Sequence, residues 1–205
     1  MNNLSTYIIE KLKINKNTSI KKYNFFPEDK GEFMQIIESL LKERGKDANL
    51  NDIDTSKITD MSFLFVGNDI RNIDISEWDT SNVEDMTEMF LECSKFTSDL
   101  SAWDVSKVRF MNKMFKGCYT FNSDLSNWNV SSCIGMPAIF RDCWEFNSDL
   151  SKWDVSKVTN LSNAFKRTKK FNSDLSKWDT SSCIMHEGIF DESAIQKKNM
   201  CKFKC

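Results

Sequence analysis

Proline and glycine are scarce in this 205-residue chain, which holds two prolines and six glycines. No proline-rich or glycine-rich linker divides it, and its length suits one domain or one short repeat array rather than two large enzyme domains. Histidine occurs once, at His186, which removes multi-histidine metal sites and makes histidine-based catalysis a poor prospect. None of the seven cysteines stands in a C-x-x-C pair, so neither a zinc ribbon nor a thioredoxin-like site is indicated. Long hydrophobic runs are missing too. The longest in residues 1–17 is Tyr7-Ile8-Ile9, against roughly 7–15 residues for a signal-peptide core and about 20 for a spanning helix. These absences predict a soluble chain in a reducing cytoplasm, with free thiols and no transmembrane segment. Nor does one sign of charge dominate. Lys and Arg number 28 and Asp and Glu 30, a net charge of −2, which disfavours wholesale nucleic-acid binding.

What is present is a repeat. Trp78, Trp103, Trp128, Trp153 and Trp178 lie 25 residues apart, with Ile53 in the same slot one copy earlier. The same period is kept by Phe65, Phe90, Phe115, Phe140, Phe165 and Phe190, and by Leu50, Ile75, Leu100, Leu125, Leu150 and Leu175. Ser56, Ser81, Ser106, Ser131, Ser156 and Ser181 form a further column. Six copies follow: 46–70 (degenerate), 71–95, 96–120, 121–145, 146–170 and 171–195. Independent columns in register over six copies are the signature of a repeat architecture.

In copy 96–120, Leu100, Trp103 and Val105 have the L-x-x-L-x-L spacing of a leucine-rich-repeat strand, with Trp in the second slot. Trp103 and Val105 are predicted to face one way and Asp104 the other. Ser106 stands where a helix N-cap would, and Val108, Met111, Phe115 and Cys118 follow at helical steps. The spacing predicts an α/β solenoid: a leucine-rich-repeat-like array of six 25-residue strand-plus-helix units that bury their apolar faces only by stacking.

Residues 1–45 lack the period. Glu32 to Leu41 place apolar residues at helical spacing, with Gly45 as a fitting stop, and Leu4 to Leu12 suggest a weaker helix. The segment reads as a mainly helical N-terminal cap on an array spanning 46–195. Residues 196–205 form a basic tail with four lysines, read as a frayed or loosely capping end. The array itself holds 16 basic and 24 acidic residues, a net of −8 that repels phosphate.

Three columns invite chemistry. Cys93, Cys118 and Cys143 give way to Thr168 and Ser193, which favours small buried side chains over a metal or disulfide ladder. The tryptophans alternate with Leu and Val, which favours a core ladder over a carbohydrate-stacking surface. Asp74, Asp99, Asp124, Asp149 and Asp174 form one acidic column; Asp54, Asp79, Asp104, Asp154 and Asp179, with Asn129, form another. The glycine-rich turns of calcium-binding repeats are absent, so turn and capping roles are expected. No catalytic grouping is visible, and neither enzyme activity, cofactor nor metal is expected.

Residues 121–143, FNSDLSNWNVSSCIGMPAIFRDC, and their counterparts in other copies resemble the BspA-type leucine-rich repeat, F-N-x-D-L-S-x-W-D-V-S-x-V-x-x-M-x-x-M-F-x-x-C, over about residues 46–195. Copy 121–145 departs at Cys133 and Pro137, and Pro137 is expected to shorten or delay its helix. Copy 171–195 carries His186 in a methionine slot. The resemblance implies a non-catalytic binding protein, commonly a bacterial surface protein with an adhesion role.

Such an array presents an extended face. The slot before each tryptophan reads Asp52, Glu77, Ala102, Asn127, Lys152 and Lys177, a drift from acidic to basic. A protein partner is therefore expected on the strand side, at Glu77, Asn127, Lys152 and Lys177 with Asp79, Asp104, Asp154 and Asp179. The aspartate row repels itself, which favours a partner with a positive patch. Lys113 and Lys166 mark the opposite, helix side.

Overall fold

The computed structural model describes residues 23–203. The segment Leu4 to Leu12, expected as a second helix, and Cys205 lie outside the described residues. Helix α1 (Lys30–Arg44) covers the stretch whose spacing predicts one. Asp29 caps it by accepting the Glu32 N–H at 2.9 Å. Gly45 ends it in a left-handed conformation, φ 85°, its N–H bonded to the Leu41 carbonyl. Phe33, Ile37 and Leu40 are buried, and the Phe33 ring lies 5.1 Å from Trp78. The helix thus closes over the core of the first rungs.

The six copies stack one rung per repeat, but not as strand-plus-helix units. Among the described residues α1 is the sole α-helix, joined by a single 3-10 turn at Lys197–Asn199. No sheet forms. Rungs meet at isolated parallel bridges that join Asp60, Asp85, Phe110, Gly135, Asn160 and Met185 in succession. The expected α/β solenoid is overturned: each rung is a succession of tight turns.

Two local effects replace the expected elements. On the tryptophan side, Asp99 accepts the Ser101 N–H at 2.9 Å and the Trp103 N–H returns to the Leu100 carbonyl at 3.1 Å. A strand would offer those groups to its neighbour; here they close a bend. Ser106, expected as a helix cap, gives its own N–H to Asp104 at 2.9 Å. On the other side, Lys113 and Gly117 have φ of 53° and 77°, which interrupts any right-handed helix. The same two slots recur as Phe63, Glu88, Lys113, Ala138, Asn163 and Gly188, and as Gly67, Glu92, Gly117, Asp142, Arg167 and Glu192, all with φ between 53° and 77°.

The alternation turns every second N–H along the stack. Met86, Glu88, Phe90 and Glu92 donate to the carbonyls of Phe110, Asn112, Met114 and Lys116 at 2.7–2.9 Å. The N–H groups between them close turns within the rung, such as Met89 to the Met86 carbonyl at 3.3 Å. Turns of three and four residues keep Val108, Met111, Phe115 and Cys118 on one buried side, which is why the spacing imitates a helix. Pro137 delays no helix, since none is there. In sister rungs Asp60, Asp85 and Asn160 accept the N–H of Ser62, Thr87 and Ser162 through their side chains; in this rung Gly135 has no side-chain acceptor to offer and Pro137 no N–H donor.

Aromatic columns fill the interior. The five repeat tryptophans are 3–6% exposed, and each indole N–H meets a carbonyl of the preceding rung (Leu50, Ile75, Leu100, Leu125, Leu150) at 2.9–3.0 Å. Phe65, Phe90, Phe115, Phe140, Phe165 and Phe190 stack at 5.4–5.8 Å. Phe96, Phe121, Phe146 and Phe171 form a second column, each 4.0–4.4 Å from a ring of the first. Offset stacking adds to the burial of such large side chains.

Candidate binding face

The exposed pattern around each tryptophan survives the loss of the strand. Trp103 and Val105 are buried while Ala102 and Asp104 are exposed. In the same way Glu77, Asn127, Lys152, Lys177, Asp154 and Asp179 stand exposed, and Asp79 is half-buried. The eight residues expected to bind thus stand exposed or half-buried beside the buried tryptophans, outside any strand. Shallow grooves run between the rungs there. One is lined by Asp99, Ala102, Asn122, Asp124 and Asn127, another by Asn147, Asp149, Lys152, Asn172, Asp174 and Lys177.

The aspartates of this face are tied into their own turns. Asp79, Asp104, Asp154 and Asp179 accept the N–H of Ser81, Ser106, Ser156 and Ser181 at 2.9–3.0 Å. Ser106 and Ser156, through hydroxyl and N–H, hold the Asp104 and Asp154 carboxyls below the usual carboxylate range. Asp99, Asp124 and Asp149 are lowered likewise, chiefly by the N–H groups of Ser101, Ser126 and Ser151. In these five carboxylates the turn hydrogen bonds favour the charged form.

Two polar columns escaped the sequence reading. Ser98, Ser123, Ser148 and Ser173 are buried. Ser123 accepts the Leu100 N–H at 2.9 Å and donates to Asp99 at 3.1 Å; Ser148 and Ser173 repeat this with Leu125 and Asp124, and with Leu150 and Asp149. Asn122 and Asn147 accept the N–H of Asn147 and Asn172, and Asn172 that of Gln196, at 2.9–3.1 Å. The constant N-S-D-L run carried this signal. A serine invariant beside a core leucine does more than fill a loop.

The cysteine column has a further role besides packing. Cys93, Cys118 and Cys143 are buried free thiols, and each donates to the carbonyl of Phe65, Phe90 or Phe115 in the preceding rung at 2.8–3.0 Å. Burial pushes the Cys93 thiol up to about 12 and those of Cys118 and Cys143 well above the ordinary value, so these groups are poor nucleophiles. Thr168 and Ser193, their replacements, share with them a donor as well as small size. Thr168 donates to the Phe165 carbonyl at 2.7 Å. Among the described residues no three His, Cys, Asp or Glu side chains are grouped to hold a metal, and no helix is long and apolar enough to cross a membrane.

The opposite side is laced with ion pairs between rungs: Lys113 with Glu88, Lys116 with Glu92, Lys166 with Asp191 and Arg167 with Glu192, at 2.8–3.2 Å. Lys152 and Lys177, by contrast, form no ion pair within 4 Å among the described residues, which leaves their charge to solvent.

A family model described as "Mycoplasma protein of unknown function, DUF285" matches residues 36–143 and 124–204. The chain belongs to the DUF285 family. The two matches overlap inside rung 121–145 and together run from within α1 through every later rung, so the DUF285 unit is the stacked array itself. No curated protein and no solved structure matches the chain.

Proposed function

We propose that this DUF285 chain is a non-catalytic protein-interaction module that binds a protein partner through the lateral face of its tryptophan-side turns. One observation carries the reading. On that face the repeated residues are used up by the framework, in Asp–Ser turns and serine bridges, while the exposed slot before tryptophan changes from rung to rung through Glu77, Ala102, Asn127, Lys152 and Lys177. A constant position is explained by packing; a varied exposed one can set what is recognised. The two lysines at the later end line one groove beside the lowered carboxylates of Asp149 and Asp174, so the face offers charge of both signs. The thiols of Cys93, Cys118 and Cys143 are held protonated by burial.

The test is a side-by-side capture with the parent chain and a Lys152→Glu, Lys177→Glu double variant. A protein retained by the parent and lost by the variant, at an unchanged melting temperature, supports the reading, because both side chains are exposed. Equal retention by both, or loss that instead follows Lys113→Glu with Lys166→Glu, defeats it.

A further inference from the structure

Pairing between rungs runs largely in one direction. At the junction of the last two rungs, Leu161, Asn163, Phe165 and Arg167 donate their N–H groups to the carbonyls of Met185, Glu187, Ile189 and Asp191 at 2.7–2.9 Å. Three bonds return: the Ile184 and Met185 N–H groups share the Thr159 carbonyl at 3.0 and 3.1 Å, and the Ala194 N–H reaches the Thr168 carbonyl at 3.0 Å. The two ends of the stack consequently bear unlike edges. On the last rung, the N–H groups of His186, Gly188, Phe190 and Glu192 and the carbonyl of Ile184 have no partner among the described residues. On the first rung, the carbonyls of Asp60, Ser62, Leu64 and Val66 and the N–H of Thr59 have none among them. Position for position, each edge is the complement of the other.

The remaining half of each end is closed. At the last rung the tail pairs with it through the Leu175 N–H, which reaches the Asn199 carbonyl at 2.7 Å, and the tail also touches the 184–192 edge, where the Phe203 ring stacks on the His186 ring at 4.1 Å. At the first rung Phe25 pairs with Asp52 and Asp54 at 2.8–3.1 Å, and α1 covers the core. Among the described residues the backbone of the same half-rung is left unpaired at both ends, although Lys30 of α1 reaches the Asp60 and Ser62 side chains and Ser62 and Leu64 are buried. Apolar exposure gathers there too. Phe63 and Val66 on the first rung, with Met34 on α1, are 40–48% exposed, and Ile184 and Met185 on the last are 78% and 46% exposed. Within the inner rungs the sole large apolar side chain so exposed, among the described residues, is Trp144. Open backbone edges flanked by apolar side chains are templates for pairing with another chain.

We propose that the chain associates head to tail with a second copy of itself, the 184–192 edge of one copy pairing with the 59–66 edge of the next. The occupant is fixed by the hydrogen-bond pattern. An extended strand has a longer repeat than these turns, whereas a first-rung edge repeats the spacing and polarity that every internal junction uses. The contact is heterologous and does not close on itself, so it builds open chains rather than symmetric dimers. Because it engages half a rung beside α1, it is small, and association is weak and dependent on concentration. It uses the ends of the stack and stands apart from the lateral binding face.

Sedimentation of the full chain from about 10 μM to about 1 mM is expected to show a weight-average mass that keeps rising past the dimer. Two variants each spoil one edge: Ile184→Lys with Met185→Lys, and Phe63→Lys with Val66→Lys. Each alone is expected to stay monomeric with the parent's melting temperature. Mixed in equal amounts they are expected to form a dimer and nothing larger, since each contributes one intact edge. Should either lysine pair fail to fold, serine at the same positions reads out the same edges. A parent that stays monomeric throughout, a parent that levels off as a symmetric dimer, or variants that fail to pair on mixing would overturn the proposal.

Discussion

The two sides of each rung solve one problem differently. Both must satisfy backbone groups without helix or sheet, since an unpaired buried N–H is costly. The tryptophan side does so largely with side chains: Asp99 and Ser123 take up the Ser101 and Leu100 N–H groups, and Trp128 caps the Leu100 carbonyl. The opposite side relies mainly on the backbone, through left-handed residues that turn alternate N–H groups toward the next rung, with Asp or Asn and Cys side chains adding to them. One side is therefore nearly constant in sequence. The other tolerates Phe63, Glu88, Lys113, Ala138 and Asn163 at a single left-handed slot. Sequence uniformity and structural uniformity are different properties, and in this molecule the more variable sequence builds the more regular ladder.

The comparison can be broken at its strongest point first. Trp128→Ala removes a buried ring stacked 6.4 Å from Trp153 together with the cap on the Leu100 carbonyl, and should cost about 3–5 kcal/mol in denaturant unfolding. Ser123→Ala is the sharper test of the side-chain mechanism. It strands the buried Leu100 N–H, and a loss of about 1–3 kcal/mol is expected; a neutral result would mean that water replaces the hydroxyl. The smallest effect has the opposite sign. Ala138 sits at φ 53°, where an L-residue costs about 1–2 kcal/mol and glycine's extra freedom when unfolded takes back about 0.4–1 kcal/mol. Ala138→Gly should therefore raise the melting temperature slightly, whereas Ala164→Gly, buried and absent from the left-handed slots, should lower it.

These same contrasts explain what was legible in the sequence. The period, the burial of the tryptophan and phenylalanine columns, the exposure of Ala102 and Asp104, and the helix ended by Gly45 followed from spacing and residue type. The nature of the rung did not. Leu100, Trp103 and Val105 match a strand's spacing, but Asp99 and Ser101 close a turn beneath them. Val108, Met111, Phe115 and Cys118 match a helix's spacing, but Lys113 carries no residue-type mark of its left-handed conformation. Glycine at Gly67, Gly117 and Gly188, in those same slots, was the compositional trace. For the binding face, the exposed slot was readable from alternation. The serine and asparagine bridges beside it were not, because their partners lie about 25 residues away in the next rung.

The tryptophan column has an optical consequence. Trp78 lies 6.2 Å from Trp103, Trp128 6.4 Å from Trp153, and Trp153 6.5 Å from Trp178, with ring planes within 8° of parallel. Chromophores this close and this aligned share their excited states. Light absorbed by one indole migrates along the stack before it is re-emitted, and the ultraviolet dichroism carries a paired band that isolated tryptophans lack. The intact array thus reports its own continuity: one interrupted rung, at Trp128 for instance, divides the column into two shorter antennae whose combined spectrum is not that of the whole.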